Sequence, residues 1–385
     1  MNTEQLFETV DNLEEEAIKA WIDVCNIESP TDFKEGVDAC GRYFIEKAKQ
    51  YGWDVEVHRE EVSVDAVCIT MNKFALGAPV AISGHIDTVH PVGLFGNPPV
   101  KVEGEKIFGP GVTDCKGGVV AGLYAMIALE KCGFKDRPVM LIIQTDEEVS
   151  SKLSQLRTVK FICEKAKNAA AFLNVEGHTR GKSVLRRKGI VRFELKVKGV
   201  SVHSCRCYEG SNAITEAAHK IIELEKMKDT GWGLTCNCGI ISGGSAANTV
   251  PDECTFIADI RYGDQKQYKE AERIVSSVAA TSYIEGTSCE VTQISHRIAM
   301  EDNDANDELL AKINEIYEEN GIPTLAKWES RGGSDAAYTT AAGIPTVDNL
   351  GTTGGRIHSP DEWGELCSMK ESILRLATVA AFIEV

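Results

Sequence analysis

Histidine and carboxylate side chains in this sequence stand where apolar runs end or in glycine-rich loops. The runs "APVAISGH", "RPVMLIIQTDEE" and "AAAFLNVEG" lead to some of them, and the loops "GPGVTDCKGG" and "GTTGGRIHSPDEW" carry the rest. In open α/β sheets, sites form at the carboxyl ends of the strands, so we expect these side chains to converge. Taken singly, a histidine at a strand end is more often a structural residue than a ligand, and a Glu-Glu pair is more often a solvated turn. The residues concerned are His85, Asp87, Asp114, Glu147, Glu148, Glu176 and His358.

Together, two histidines and several carboxylates form the mixed nitrogen and oxygen ligand set that zinc accepts. If one carboxylate lies between two metals, each metal still needs a histidine and a further carboxylate. The pairs His85 with Glu176 and His358 with Glu148, with Asp114 between them, meet that requirement. The residues therefore predict a site for two metal ions.

Two acidic residues of the set are not needed as ligands. Asp87 lies two residues after His85 and is expected to hydrogen-bond its ring, the usual role of a carboxylate behind a ligating histidine. Glu147 stands next to a ligand and is placed to take a proton from a water that the metals activate. We therefore predict Asp87 and Glu147 as catalytic residues.

Length and composition indicate an ordinary soluble globular protein. The chain has 385 residues, of which 43% are hydrophobic and 26% charged, so it is long enough for one large domain or two of moderate size. Its first 25 residues are typical of an acidic amphipathic helix and lack the basic and apolar regions of a signal peptide. Since no apolar run approaches the roughly 20 residues of a membrane span, we expect a cytoplasmic protein with no membrane partner.

The net charge of −17 argues against nucleic acid and anionic membranes as partners. Against this background the basic stretch "TRGKSVLRRKG" (179–189) stands out. It is either a solvated hinge or a local attraction for an anionic substrate.

Thirteen cysteines are scattered along the chain without any CxxC motif. In a chain without a secretion signal, this pattern predicts mostly buried, reduced thiols and no disulfide framework. The pairs Cys205/Cys207 and Cys236/Cys238 are interpreted as core or surface thiols, with a thiolate metal site as the alternative.

The order of predicted elements indicates a discontinuous domain. Residues 1–187 alternate helices with apolar runs typical of strands buried on both faces, which predicts a largely parallel sheet flanked by helices. A hairpin-like pair, "VEVHRE" and "DAVCITM", makes that sheet mixed. The pattern of residues 188–299 predicts the order strand-helix-strand-strand-helix-strand, which is the split βαβ arrangement of a small α+β domain. Since residues 300–385 resume the earlier alternation, we predict one α/β domain interrupted by an inserted one.

Several motifs resemble one known family, in order and over residues 78–363. They are "GHIDTVHPVG", "VEGEKIFGPGVTDCKGG", "TDEEVSS", "GVSVHS", "SAANTVPDECTFIADIRY" and "RGGSDAAYTTAAGIPTVDNLG" leading to "IHSPDEW". They resemble the co-catalytic di-zinc carboxypeptidases and aminoacylases, a superfamily that includes acetylornithine deacetylase and succinyl-diaminopimelate desuccinylase. The resemblance is greatest to the glutamate carboxypeptidases of the carboxypeptidase G type.

The resemblance implies a zinc-exopeptidase-like catalytic domain with an inserted ferredoxin-like domain for dimerisation and lid closure. It implies two Zn²⁺ per subunit, with Co²⁺ or Mn²⁺ as alternatives, on the ligands and base assigned above, and a cis bond after Asp114. His203 in "SVHS" matches a histidine that crosses a dimer interface to stabilise the oxyanion in the partner's site. The alternative is a surface histidine at a strand end. His90 and His178 lie near ligands and are interpreted as non-ligating.

For substrate binding, the resemblance points to Lys182, Asn248 and Arg297, which align with polar residues that contact the carboxylates of a C-terminal glutamate. Lys182 belongs to the basic stretch noted above. Arg261 in "ADIRY" is a further candidate, with bracing of the small domain as its alternative role.

Three functions remain open at this stage. The first is a carboxypeptidase or dipeptidase that releases a C-terminal acidic residue from a small peptide, and the second is an N-acyl amino acid deacylase. Both would use one mechanism, in which Glu147 takes a proton from the attacking water and returns it to the leaving amine. The third is a non-catalytic binding protein on the same fold. We expect a homodimer through the inserted domain.

Overall fold

The computed structural model describes residues 1–60 and 65–384. The chain divides into a first unit of residues 1–185, 302–329 and 334–385 and a second unit of residues 186–301 and 330–333. Residues 330–333, which the sequence assigned to the interrupted domain, belong to the second unit. The backbone amide of Lys188 donates to the carbonyl of Ser330 at 3.2 Å, and Arg331 donates to the carbonyl of Thr230 at 2.6 Å.

The helices of the described residues are α1 (Thr3–Cys25), α2 (Lys34–Gln50), α3 (Lys116–Lys131), α4 (Arg157–Ala166), α5 (Ala213–Leu224), α6 (Gln265–Ala280), α7 (Asp304–Glu319), α8 (Ala336–Ala341) and α9 (Cys367–Phe382), with a short 3₁₀ helix at Ser204–Glu209. The strands are β1 (Asp54–His58), β2 (Ala66–Met71), β3 (Val80–His85), β4 (Lys101–Glu103), β5 (Lys106–Phe108), β6 (Val139–Gln144), β7 (Ala171–Asn174), β8 (Lys182–Arg187), β9 (Gly189–Lys198), β10 (Thr235–Gly243), β11 (Glu253–Tyr262), β12 (Ser288–Arg297), β13 (Ala326–Ser330), β14 (Thr346–Val347), β15 (Gly354–Gly355) and β16 (Trp363–Glu365). None of these helices combines the length and the apolar character that a membrane span requires.

A six-stranded sheet in the order β1-β2-β6-β3-β7-β14 forms the centre of the first unit. Strands β6, β3, β7 and β14 are parallel to one another, while β2 pairs antiparallel with β6 on one side and with the edge strand β1 on the other. Every residue of β3 and β6 is buried, because helices cover both faces. Ile82 and Leu141 face the core that contains α1, α3 and α9, whereas Ala81 and Met140 face the core that contains α4. The predicted mixed, mostly parallel sheet flanked by helices is confirmed.

The carboxyl ends of β3, β6 and β7 lie at one edge of this sheet because the three strands are parallel. A small antiparallel sheet in the order β15-β16-β5-β4 positions two further loop segments. Residues 109–115 follow β5, and residues 356–362 join β15 to β16. The sequence did not predict these strands of two or three residues.

The second unit contains a four-stranded antiparallel sheet in the order β10-β11-β9-β12. Its chain order, β9-α5-β10-β11-α6-β12, is the split βαβ arrangement of a ferredoxin-like fold. Side chains from β9 and β11, such as Leu195 and Phe256, form a core with Ala217 of α5 and Val275 of α6. The helices therefore cover one face of the sheet.

A buried ion pair lies beneath the two helices of the second unit. Lys220 Nζ is 2.9 Å from Glu216 Oε1, and both side chains are 1% exposed. Lys220 also donates to the carbonyls of Val278 and Thr281 at the end of α6, where a cation interacts favourably with the helix dipole. Burial raises the pKa of Glu216, but Lys220 and the backbone amide of Ile284 outweigh it and hold this pKa below its usual value.

Replacing Glu216 with glutamine should lower the free energy of unfolding of the second unit by about 3 kcal/mol, because the Lys220 charge would stay buried without its partner. Thermal and urea unfolding at pH 7 measure this effect. Because the folded pKa of Glu216 is depressed, its contribution is present above the unfolded pKa and disappears as the pH falls through the folded pKa. Glu223→Gln, which removes the exposed partner of Lys226, should change stability by less than about 0.5 kcal/mol. Equal effects of the two substitutions would contradict this account.

All thirteen cysteines are free thiols, as expected for a chain without a disulfide framework. Six of them are buried, so the prediction that most would be buried is wrong. Cys205 and Cys207 are exposed on the 3₁₀ helix, whereas Cys236 and Cys238 lie on β10 with their sulfurs 4.0 Å apart. The exposed thiols occur outside the regular strands, where no sheet covers them.

Candidate active site

Two histidines meet one aspartate at the edge of the large sheet. His85 Nε2 lies 3.2 Å from Asp114 Oδ1, and His358 Nε2 lies 3.0 Å from Asp114 Oδ2. Asp114 therefore offers one carboxylate oxygen to each histidine. A carboxylate in this position could bridge two cations.

Each histidine has a second carboxylate beside it. Glu148 Oε2 is 3.1 Å from His358 Nε2, and Glu176 Oε1 is 3.8 Å from His85 Nε2. The five side chains thus form two halves that share Asp114, as the sequence predicted they would converge. Ligand atoms of His85, Asp114 and Glu148 all lie within 4.8 Å of one another, close enough to hold one metal ion.

The carboxylates of the cluster favour positive charge on the two histidines. The pKa of His358 rises to about 10 because Asp114 and Glu148 accept its hydrogen bonds. Burial alone lowers the pKa of His85, yet the neighbouring acidic groups hold it well above its usual value. Burial raises the pKa of Glu148 to about 7, although His358 opposes the shift. The donor set fits divalent cations, which would take the place of these protons.

Cys115 is a further metal-ligand candidate that the sequence did not predict. Its sulfur lies within 4.8 Å of ligand atoms of His85 and Glu176. The sulfur also accepts a hydrogen bond from the backbone amide of His85 at 3.0 Å, and burial raises the pKa of the thiol to about 12. It is therefore a neutral thiol that positions the His85 backbone. The peptide bond between Asp114 and Cys115 is cis, as the family resemblance implies.

Asp87 is completely buried behind the cluster and has more contacts than predicted. His85 Nδ1 donates to the Asp87 backbone carbonyl at 3.0 Å and lies 3.4 Å from its carboxylate, which leaves Nε2 directed at Asp114. The Asp87 carboxylate accepts the backbone amides of Glu147 and Glu148 at 3.2 and 3.1 Å and the Thr31 hydroxyl at 2.8 Å. One side chain therefore positions both the predicted ligand His85 and the turn that carries Glu147.

Glu362 was not singled out by the sequence analysis, although it lies four residues after His358 in the motif "SPDEW". Its buried carboxylate accepts the backbone amides of Thr113 at 2.9 Å and Asp114 at 3.1 Å. It also contacts His90 Nε2 at 3.0 Å. Glu362 positions the loop that holds the shared aspartate.

The predicted substrate-binding residues are divided between the two units. Lys182 belongs to the first unit, and its ammonium lies 3.3 Å from the centre of the Trp328 ring. His203 and Asn248 are exposed in the second unit, where the backbone amide of Ser204 donates to the Asn248 carbonyl at 2.9 Å. His203 Nδ1 lies 3.1 Å from the sulfur of Cys205.

The two predicted arginines of the second unit differ in their surroundings. Arg297 is only 4% exposed at the end of β12. Arg261 donates from Nε to Asp259 at 2.7 Å, and Arg192 contacts the same carboxylate at the same distance. This arrangement agrees with the bracing role considered for Arg261.

The sequence profile of the peptidase family M20/M25/M40 matches residues 81–381. Carboxypeptidase G2 from Pseudomonas sp. (strain RS-16) is 28% identical over 359 residues, which cover 92% of this chain and 86% of that protein. Acetylornithine deacetylase from Myxococcus xanthus is 29% identical, but the match covers only 40% of this chain and 42% of that protein. Among solved structures, a tripeptidase from Staphylococcus aureus has a TM-score of 0.79 at 22% identity and covers 96% of this chain and 98% of its own. The metallo-carboxypeptidase Sso-CP2 from Sulfolobus solfataricus has a TM-score of 0.76 at 17% identity, with coverage of 95% and 98%.

Proposed function

Since the chain belongs to peptidase family M20/M25/M40 and is a metal-dependent hydrolase, we propose that it cleaves an amide bond next to a free C-terminal carboxylate. The residue released would be glutamate. The observation that carries the proposal is the cluster around Asp114, whose two oxygens lie 3.2 and 3.0 Å from the two histidines. The match to carboxypeptidase G2 over 92% of the chain supports glutamate release.

The cluster would hold two zinc ions, with Co²⁺ or Mn²⁺ as alternatives. His85 and Glu176 would hold one ion, His358 and Glu148 the other, and Asp114 both. The chemistry supplied by bound zinc is Lewis acidity, which makes water a stronger acid and an amide carbonyl a better electrophile.

Glu147 would act as the general base. It is 6% exposed, stands next to Glu148, and its backbone amide is held by Asp87 at 3.2 Å. Its carboxylate would take a proton from the attacking water and return it to the nitrogen of the cleaved amide, so the C–N bond breaks with a neutral amine, and not its anion, as the leaving group. His203 would cross a dimer interface and donate a hydrogen bond to the oxyanion that forms on the carbonyl oxygen in the partner's site.

A cationic contact to the substrate carboxylate is proposed for Lys182 and Arg297, with Asn248 as a polar neighbour. Lys182 lies over Trp328 at the start of β8, which fixes the direction of an otherwise flexible side chain.

Replacing Lys182 with methionine should raise KM for a peptide with C-terminal glutamate by about ten- to hundred-fold with little change in kcat, because a charge-assisted hydrogen bond is lost in ground and transition states alike. Steady-state kinetics measure the split. Lys101→Met, at an exposed position of β4, is the matched control. A fall in kcat with unchanged KM would retire this role for Lys182.

An N-acyl amino acid deacylase is the second candidate function, and a dipeptidase is a third. The matches to acetylornithine deacetylase and to succinyl-diaminopimelate desuccinylases favour the second. The same cluster and the same base would serve any of these reactions, since only the group on the acyl side of the cleaved bond differs. A non-catalytic binding role would not require Glu147 to accompany a complete ligand set.

We also propose that the chain forms a homodimer through its second unit. The same unit would serve as a lid during catalysis. Exposed isoleucines lie on α5 and on the edge strand β10: Ile222 is 61% exposed, and Ile240 and Ile241 are 62% and 52% exposed. An apolar surface beside an unpaired strand edge is suited to a second copy of the chain.

Replacing Ile222 with aspartate should shift the protein from dimer to monomer, because a charge would be buried in the apolar contact. Light scattering coupled to size-exclusion chromatography measures the mass. Leu76→Asp, at a fully exposed position of the first unit, is the control and should leave the mass unchanged. A wild-type protein that runs as a monomer would refute the dimer.

A further inference from the structure

A pocket of about 470 Å³ lies in the first unit and shares no residue with the metal cluster. Its walls come from α1, α9 and the turn after α7, and its apolar surface is formed by Phe7, Ile322 and Leu374. Sites for small molecules have volumes of roughly 300–1,000 Å³ and combine apolar walls with a few polar groups. The pocket has the size and the surface of such a site.

Arg375 of α9 is a buried cationic residue in the lining of this pocket. It is only 7% exposed, and its Nε makes no hydrogen bond. Its other contacts are long: Nη2 lies 3.4 Å from the carbonyl of Gly351, and Nη1 lies 4.0 Å from Glu371. A buried guanidinium normally has close anionic or hydrogen-bonding partners, because an uncompensated buried charge is costly. The pocket therefore contains a cation whose hydrogen-bonding capacity is largely unused.

The Glu371 carboxylate lies 4.0 Å from Arg375 Nη1 and is bound more closely by Arg180. Glu371 is engaged by Arg180 at 2.7 Å, and Arg180 also contacts Glu365 at 2.5 Å. These ion pairs satisfy the exposed Arg180. Arg375 is left as the cation beside an apolar wall.

We propose that this pocket binds a small monocarboxylate with an apolar body, with the carboxylate on Arg375 and the body against Phe7, Ile322 and Leu374. A single planar carboxylate matches the guanidinium fork. Glu371 at the same wall disfavours a dianion such as phosphate, and the two arginines disfavour a cation. The proposal goes beyond hydrolysis and does not require any metal chemistry.

Binding to the full-length protein, treated with chelator so that no metal can hold a carboxylate, tests the proposal. The probes are 3-phenylpropionate and 4-methylpentanoate, with 3-phenylpropionamide as the uncharged analogue and acetate as the anion without an apolar body. Calorimetry should show millimolar or tighter binding of the two carboxylates, with the amide and acetate at least about ten-fold weaker. No binding of either carboxylate at millimolar concentration, or equal binding of the amide, would overturn the proposal.

Variants locate the binding. Arg375→Met should weaken both carboxylates by about ten- to hundred-fold, whereas Arg42→Met at an exposed position should not. If Arg375→Met fails to fold, a second variant, Ile322→Trp, tests the same pocket. Ile322 lies on a part-exposed turn, so its replacement with tryptophan fills the pocket and retains Arg375. Leu76→Trp is its control. Unchanged binding in Ile322→Trp would place the ligand elsewhere and overturn the proposal. The inactive Glu147→Gln protein should bind like wild type, so this result is independent of the proposed hydrolysis.

Discussion

Replacing Glu147 with glutamine is expected to lower kcat by about 10²–10⁴-fold while the metal content stays at the wild-type value. Glutamine has nearly the same shape as glutamate but cannot accept the proton of the attacking water. The backbone amide of Glu147 would still donate to Asp87, so the turn that carries Glu148 should remain in place. The loss should therefore be catalytic and not structural.

Steady-state kinetics and elemental analysis of the same purified sample measure the two quantities together. Glu103→Gln, at an exposed position of β4, is the matched control and should retain full activity. Wild-type turnover in the Glu147 variant would rule out Glu147 as the base. A loss of activity together with a loss of metal would instead make Glu147 a ligand.

Replacing Asp114 with asparagine should have the second large effect, because it disturbs both halves of the cluster at once. Asparagine offers one oxygen and one amide group where the carboxylate offers an oxygen to His85 at 3.2 Å and another to His358 at 3.0 Å. We expect metal affinity to fall by about 100-fold or more and activity to fall with it. The pKa of His358 should also drop from its raised value, since the hydrogen bond to Asp114 is the largest cause of the shift.

Titration of the chelated protein with Zn²⁺, followed by calorimetry, measures the affinity. The matched control is Asp361→Asn, an exposed carboxylate in the loop that carries His358 and a partner of Arg356. It should bind metal like wild type. An Asp114 variant with two tightly bound ions would contradict the bridging role.

The centre of the fold and of the candidate site could be predicted because both follow from one physical pattern. Strands β3 and β6 are buried on both faces, so they appear in the sequence as short apolar runs. Parallel strands end at the same edge, and the side chains that follow them must therefore lie near one another. His85, Glu148 and Glu176 were predicted on this basis and meet around Asp114 in the structure.

The parts that could not be predicted depend on contacts that local sequence does not encode. The strands of the small sheet have two or three residues, too few for any periodicity. Glu362 is important because its carboxylate reaches the amides of Thr113 and Asp114, almost 250 residues away along the chain. Arg375 lies on a largely buried helix, and only the tertiary structure shows that this residue borders a pocket.

Metal-dependent release of an amino acid tests the central claim most directly. Zinc-loaded protein would be incubated with a matched panel of C-terminal glutamate peptides, folate-type conjugates and N-acyl amino acids, beside a sample treated with chelator and a sample reloaded with zinc. We predict rapid release of glutamate that the chelator abolishes and zinc restores. Release of other amino acids with glutamate excluded would retain the metal mechanism and retire the roles of Lys182 and Arg297. Release that the chelator does not change, or no release from any member of the panel, would contradict the account.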